Sequence, residues 1–303
     1  MQSVILGTRG SALALAQTTL VTQALEAAHP GLAVSHRVIQ TTGDLRQDIR
    51  LGGGTPGFDK AVWTKELEAA LADGSVHAAV HSGKDVPTDL PPGFALIGCL
   101  PRAATPDVLI SKHGGGLAGL PDGARVATSS VRRLRQLQWL RPDVQVAEMR
   151  GNVPTRLRKL QDDPDLDALL LARAGLDRLG IEPPPGVFFH ELPATDFLPA
   201  AAQGIVVIEA LASAGDVAKI FAAITHAPTW TVLRAEREFL RLLGAGCSTP
   251  VGVRTWEESG RLRMEGCVFD EGISPPRCGE AAGSLDDPEG CAADLCRALE
   301  REK

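Results

Sequence analysis

The chain has 303 residues, 44% of them hydrophobic and 22% charged, with a formal net charge of −6. That length allows two or three domains at roughly 150 residues each, and no stretch approaches the ~18 apolar residues that a membrane-spanning helix needs. The acidic balance argues against a nucleic-acid-binding protein and leaves room only for a local basic cleft.

Residues 4–6 read as a strand, Gly7-Thr8-Arg9-Gly10 as a tight loop, and Ser11 as the N-cap of a helix running to about residue 28, stopped by Pro30-Gly31. The strand begins without the charged and apolar regions of a signal peptide, so the cytoplasm is the expected compartment. A second strand over 33–40 leaves through a polar exit at 41–44. The glycine-rich stretch 51–57 is expected to be mobile, and a helix over about 60–73 leads into the next strand.

That strand opens residues 78–87, Ala-Ala-Val-His-Ser-Gly-Lys-Asp-Val-Pro, an apolar run that breaks into a polar turn carrying one carboxylate, Asp85. A buried strand delivers side chains in this way to the carboxyl edge of an open α/β sheet, where ligands bind. The same residue types also make an ordinary strand-end turn. A strand over 94–99 follows and ends at Pro101. Strands alternating with helices imply a mostly parallel sheet covered on both faces.

After Pro101 the pattern restarts. Strands are predicted at 108–111 and 125–127, the latter opening on Thr128-Ser129-Ser130 and a helix over 131–140. A strand over 144–149 exits at Arg150-Gly151-Asn152 into a helix ending near 160. A strand over 166–171 and a short helix holding Arg178 come next. Residues 199–204 lead into a strand over 205–209 that returns to the first domain. Helices over 217–225 and 229–243 precede Gly244-Ala245-Gly246-Cys247-Ser248-Thr249-Pro250. Strands over 251–256 and 261–269 and a closing helix over 288–301 make a small third α+β domain. The expected division is 1–100 with 200–222, 101–199, and 223–303.

The strand exits carry the chemistry. A helix N-terminus bears partial positive charge, so arginines in its first turn cost a few tenths of a kcal/mol, roughly, unless an anion is present. Here Arg132 and Arg133 occupy a first turn behind three hydroxyl residues. Free amides, hydroxyls and guanidinium forks together suit a carboxylate or phosphate; a solvated basic face is the alternative. Arg150 and Arg156 flank a second such loop, and Arg9 holds the corresponding place in the first domain. Arginines recurring at the strand exits of an acidic protein point to a polyanionic ligand, and no Walker loop is present.

Six cysteines, at 99, 247, 267, 278, 291 and 296, include no Cys-x-x-Cys pair. In a reducing compartment they read as buried thiols rather than disulfides or zinc ligands, and no metal site is expected. Cys247 differs, because flanking glycine and proline let the backbone present its thiol. It suits a nucleophile or a covalent attachment point; a Cys-His pair with His81 or His190 is the rival reading.

Six segments, in this order, resemble the porphobilinogen deaminase (hydroxymethylbilane synthase) family: residues 81–87, 128–133, 150–156 and 174–180, then Gln203-Gly204, then 246–250. The resemblance covers nearly the whole chain. It implies two α/β domains shaped like a type II periplasmic binding protein, with the active site between them, and a small α+β domain. It further implies a dipyrromethane cofactor joined to Cys247 by a thioether. Four porphobilinogen units are added to it with loss of ammonia, before hydrolysis releases hydroxymethylbilane. Carried over residue by residue, Asp85 is catalytic. Lys84, Thr128, Ser129, Ser130, Arg132, Arg133, Arg150, Gly151 and Asn152 meet the cofactor, and Arg9, Ser11, Lys60, Arg156, Arg178 and Gln203 meet substrate. A monomer is expected, with no nucleic-acid or membrane partner. The chain departs from the family pattern at 58–63, Phe-Asp-Lys-Ala-Val-Trp, at Thr42 where arginine is common, and at Gly83 where methionine is common. A binding module without turnover and an inactive paralogue remain as alternatives.

Overall fold

The computed structural model describes residues 2–45, 60–246, 249–269 and 275–300. The expected mobile stretch at 51–57, the Lys60 side chain and Cys247 lie outside the described residues.

The chain opens with β1 (Ser3–Thr8), α1 (Ala12–Ala28), β2 (Ala33–Val38), a helical turn α2 (Thr42–Leu45), α3 (Lys65–Ala72), β3 (Ala78–Ser82) and β4 (Phe94–Cys99). The expected helix over 60–73 is therefore a 3-10 turn, Lys60–Trp63, followed by α3, with Thr64 between them. The chain then crosses to β5 (Asp107–Ser111), β6 (Arg125–Ala127), α4 (Val131–Leu140), β7 (Gln145–Ala147), α5 (Val153–Asp162), β8 (Ala168–Ala172), α6 (Arg173–Arg178) and β9 (Phe188–Leu192). It returns as β10 (Val206–Leu211) and continues through α7 (Gly215–Ala222), α8 (Ala227–Leu242), β11 (Val251–Glu258), β12 (Arg261–Val268), β13 (Arg277–Ser284) and α9 (Pro288–Glu300).

Three sheets result, in the orders β2-β1-β3-β10-β4, β7-β6-β8-β5-β9 and β11-β12-β13. In each of the first two, four strands run the same way and one runs against them, so the sheets are mostly parallel as expected, with one reversed strand that was not. β1 runs parallel to β2 and β3, but β10 is antiparallel to both its neighbours. In the second sheet β5 is the antiparallel strand. Apolar pattern reports burial and carries no information on strand direction; a chain that leaves one sheet and comes back must insert its return strand the other way. Buried clusters cover both faces of each five-stranded sheet, and the central strands β3, β5, β8 and β10 are almost wholly buried, with His81, Asp107, Ser111 and Glu209 as polar residues among apolar ones.

This arrangement fixes where the chemistry can be. Val206 at the start of β10 pairs with Ser82 at the end of β3, and Val207 pairs with Cys99 at the end of β4. Both crossovers, 100–106 outward and 199–205 inward, therefore sit at the same edge as the Gly83–Asp85 turn. They are joined there, the Ala103 amide donating to the Gly204 carbonyl at 3.1 Å. Gly204 has φ +86°, and a Cβ on it would lie 2.5 Å from the Ala103 carbonyl oxygen. Gly83 approaches the same crossover: its amide donates to Ile205 at 2.8 Å, and a Cβ would meet Ala202 at 3.0 Å.

The third sheet carries a correction. Cys267 and Cys278, expected to be thiols, are directly opposed on β12 and β13 and form a disulfide. β13 was not expected at all, so nothing in the sequence spacing had brought these two together.

Gly204→Ala is expected to lower the thermal unfolding midpoint by about 2 °C or more, since a left-handed non-glycine residue costs roughly 1–2 kcal/mol before any clash. An unchanged midpoint would show that the crossovers do not need this close approach.

Candidate active site

A cavity of about 910 Å³ opens at the edge shared by the crossovers, lined from the first two sheets and by Leu240, Gly246, Thr249 and Val251 from the C-terminal part. Helices α1, α4 and α5 bring their N-termini to it, with Ser11, Ser130 and Asn152 as their caps. Each cap spends its side-chain oxygen on its own helix, accepting from the amides of Ala14 (3.3 Å), Arg133 (3.4 Å) and Thr155 (3.0 Å) respectively. What remains for a ligand is the donor side of each cap. Thr128, expected at the site, does not line the cavity; it is buried and accepts the Ser130 amide at 3.2 Å, shaping the loop from behind.

Among the described residues seven basic side chains line the cavity, Arg9, Lys84, Arg132, Arg133, Arg150, Arg156 and Arg178, against two carboxylates, Asp44 and Asp85. Arg132 and Arg133 are not a solvated face: both are buried. Each reaches the fully buried Asp107, Arg132 to Oδ2 and Arg133 to Oδ1, both at 2.7 Å. Each also donates to a backbone carbonyl, Arg132 to Leu198 at 2.6 Å and Arg133 to Leu170 at 2.9 Å. Two guanidiniums share one carboxylate, so one positive charge is left uncompensated at the cavity wall. Burial alone would raise the Asp107 pKa, but the charges of Arg132 and Arg133 outweigh it and hold the carboxyl well below the ordinary range.

Gln203 completes the group. Its amide nitrogen donates to the Thr105 carbonyl at 2.6 Å and to Asp107 at 3.0 Å, and its oxygen accepts from Lys84 Nζ at 3.3 Å. Gln203 lines the cavity, where it was expected to meet substrate, and its amide also holds Lys84 in position. Burial, then the nearby Arg133 charge, pushes the Lys84 ammonium down to about 8 against the opposing pull of Asp85 and Asp107. Arg156 donates from Nε to the Gly151 carbonyl at 2.8 Å, and burial with the Arg133 charge pushes it down to about 10, Asp85 again opposing. Arg178 donates to the Gly204 carbonyl at 2.7 Å, and Arg150 to Glu148 at 3.0 Å.

The departures at Thr42 and Trp63 form one local unit. Trp63 packs against Gly43, where a Cβ would be 2.2 Å from its ring, and the Arg9 guanidinium sits 4.1 Å from the ring centroid. Asp44 pairs with Arg9, and Thr42 donates from its amide to Glu66 at 3.0 Å. Arg9 is thus fixed by an aromatic face and a carboxylate. Burial works to raise the Asp44 pKa, but the hydrogen bond and charge of Arg9 hold it below normal.

Asp85 lies in the turn after β3, and Arg237 of α8 braces that turn by donating to the carbonyls of Pro87 (2.8 Å) and Thr88 (2.7 Å). Of the two carboxylates lining the cavity, Asp44 is paired, whereas no hydrogen bond or ion pair joins Asp85 to another described residue. Cys247 lies outside the described residues, but Gly246 and Thr249 line the cavity, the Gly246 amide donating to Thr249 Oγ1 at 3.1 Å. His81 and His190, the rival bases, do not line the cavity; His81 is buried 2.9 Å from Glu209. The sequence reading missed Asp107, Arg237, and the part-buried Arg102–Glu236 pair (2.8 Å) that ties the outward crossover to α8. A lone acid heading an apolar strand was the only available signal for Asp107.

The porphobilinogen deaminase dipyromethane cofactor binding domain matches residues 4–219, and the C-terminal domain of the same enzyme matches 230–300. The chain belongs to the porphobilinogen deaminase family. A porphobilinogen deaminase from Syntrophomonas wolfei is 40% identical over 299 residues, covering 99% of this chain and 95% of the relative. One from Moorella thermoacetica is 42% identical over 302 residues, covering 99% and 93%. Among solved structures, an arginine-specific periplasmic binding protein from Salmonella typhimurium aligns with TM-score 0.41 at 13% identity, covering 74% of this chain and 92% of that one; it adds nothing to the topology above. The porphobilinogen deaminase cofactor, a dipyrromethane bearing acetate and propionate groups, fits the donor set found here: a cavity of ordinary ligand size walled by an excess of cations and three helix N-termini.

Asp107→Asn keeps the shape but leaves two buried guanidiniums without a counter-charge, so stability at pH 7 should fall by about 3–5 kcal/mol. The Asp107 pKa is lower folded than unfolded, so its stabilisation is complete above about pH 4 and is lost as pH falls through the folded value. Urea unfolding across pH 7 to 3 should show a shallower acid decline in Asp107→Asn than in the wild type; parallel curves would contradict the assignment.

Proposed function

We propose that the cavity is the place where hydroxymethylbilane is assembled. The function is hydroxymethylbilane synthesis: four porphobilinogen molecules are condensed head to tail with loss of ammonia, and the product is released by hydrolysis. The dipyrromethane, when bound, supplies the pyrrole carbon to which the first unit is joined. Cys247 would hold it by a thioether, with Lys84, Arg132, Arg133 and Arg150 and the loops at Ser129–Ser130 and Gly151–Asn152 receiving its carboxylates. Arg9, Ser11, Lys60, Arg156 and Arg178 receive those of the incoming porphobilinogen.

The observation that carries the reading is Asp85, a carboxylate without a described partner among seven cations. Substrate that loses ammonia becomes a cationic azafulvene, and a positioned negative charge stabilises that cation. The same carboxylate accepts a proton when the ring regains aromaticity. The neighbouring cations bind the carboxylates of the growing chain.

The three sheets would centre three domains, 1–100 with 200–222, 101–199, and 223–303. The protein would act as a monomer, and a reducing compartment such as the cytoplasm would keep the Cys247 thiol competent for attachment. Among the described residues no helix is long and apolar enough to cross a membrane.

Asp85→Asn should fold and bind porphobilinogen but release ammonia about a hundredfold more slowly, the loss of one positioned electrostatic group. Asp85→Glu should retain more activity than Asp85→Asn. Ammonia release by Asp85→Asn at the wild-type rate would remove Asp85 from the mechanism.

A further inference from the structure

The disulfide lies where the C-terminal sheet meets the inward crossover. On β12, Leu262, Met264 and Gly266 face α8 and α9, a Cβ on Gly266 falling 2.9 Å from Phe239 and 3.1 Å from Leu295. Cys267, alternating with them, takes the opposite face. There it packs with Leu198, Phe269 and Cys278. Gly252 is the β11 partner of Cys267, and a Cβ on it would lie 2.6 Å from Leu198 Cβ. Beside it the Val253 amide donates to the Pro199 carbonyl at 2.9 Å. The sheet therefore grips residues 198–199 through Gly252, Val253 and the cysteine pair.

Leu198 is also tied to the second sheet's side. Its amide donates to Gln136 Oε1 at 2.7 Å, and its carbonyl accepts from Gln136 Nε2 at 2.9 Å and from Arg132 at 2.6 Å. We propose that Cys267 and Cys278 are a reversible dithiol–disulfide pair that sets how firmly the C-terminal sheet holds Leu198, and through its carbonyl the Arg132 guanidinium. Cross-strand cysteines directly opposed on neighbouring strands are held together in either redox state by the ladder, eight residue pairs long, so closing the bond needs no rearrangement of the backbone. Cys278 is half-buried on the edge strand, whereas Cys267 is 6% exposed. Cys99, Cys291 and Cys296 remain free thiols, two of them buried, which confines the chemistry to this pair among the described residues.

The oxidant is a small-molecule disulfide. The Cys278 thiolate attacks one of its sulfurs and expels one thiolate; the Cys267 thiolate then attacks Cys278 Sγ and expels the second. Two electrons pass from protein to reagent, and the two protons lost by the cysteines end on the two released thiols. A dithiol reverses the reaction. The proposal is independent of the catalytic roles assigned above, and its test does not read activity.

The full chain is treated with glutathione disulfide and then with dithiothreitol, and each state is examined by peptide mapping and by hydrogen exchange at the Val253 and Leu198 amides. The linked peptide should form with glutathione disulfide and disappear with dithiothreitol. Both amides should exchange on the order of tenfold faster in the dithiol form, local openings being less costly there. Cys278→Ser should show the faster exchange under both conditions. Absence of the linked peptide after oxidation, its persistence under dithiothreitol, or equal exchange in the two forms would each overturn the proposal.

Discussion

Asp107 is fully buried and meets three side chains at once, the guanidiniums of Arg132 and Arg133 and the amide of Gln203. Burying a carboxylate is costly, and burying two guanidiniums more so; each is tolerable only because the others are there. The group draws on β5, α4 and the inward crossover, so it forms only when the second sheet, its helix and the returning chain are all in place. The cluster is better understood as a device for specifying geometry than as a source of stability. It orients the arginines so that one face of each is satisfied internally while the pair keeps a net positive charge.

The same economy governs the rest of the cavity. Arg9 is fixed by Trp63 and Asp44, Lys84 by Gln203, Arg156 and Arg178 by backbone carbonyls. Such side chains lose little rotational freedom on binding a carboxylate, which is the benefit of preorganisation. Asp85 is treated differently. Its turn is braced from below by Arg237 and from the side by the Ile205 carbonyl on Gly83, yet the carboxylate itself is left without a described partner. Structure around a group and freedom at the group are what a catalytic carboxylate requires.

Much of this was legible in the chain of letters. The helix expected after Thr128-Ser129-Ser130, over 131–140, has the bounds observed, and the break after Ala-Ala-Val-His-Ser placed Asp85 at a sheet edge. The resemblance singled out a set of site residues, and the described members of that set, Thr128 apart, line one cavity. What escaped was long-range or direction-dependent. Nothing local marks β10 as antiparallel. β13, Arg-Cys-Gly-Glu-Ala-Ala-Gly-Ser, has no apolar alternation and becomes a strand only by pairing with β12 and packing on α9. Asp107 stands 25 residues from Arg132, so the arginine pair could be read as anion-binding but not as half satisfied from within. The disulfide was hidden for the same reason as β13, because the partner strand was not seen.

The account turns on a dipyrromethane tethered at Cys247 and seated on these cations, and intact-protein mass spectrometry tests it most directly. Purified wild-type protein should exceed the mass of its sequence by one covalently bound dipyrromethane, and Cys247→Ser, folded to the same circular dichroism spectrum, should show the sequence mass alone. A wild-type mass equal to the sequence, or a pyrrole adduct that survives in Cys247→Ser, would contradict the account.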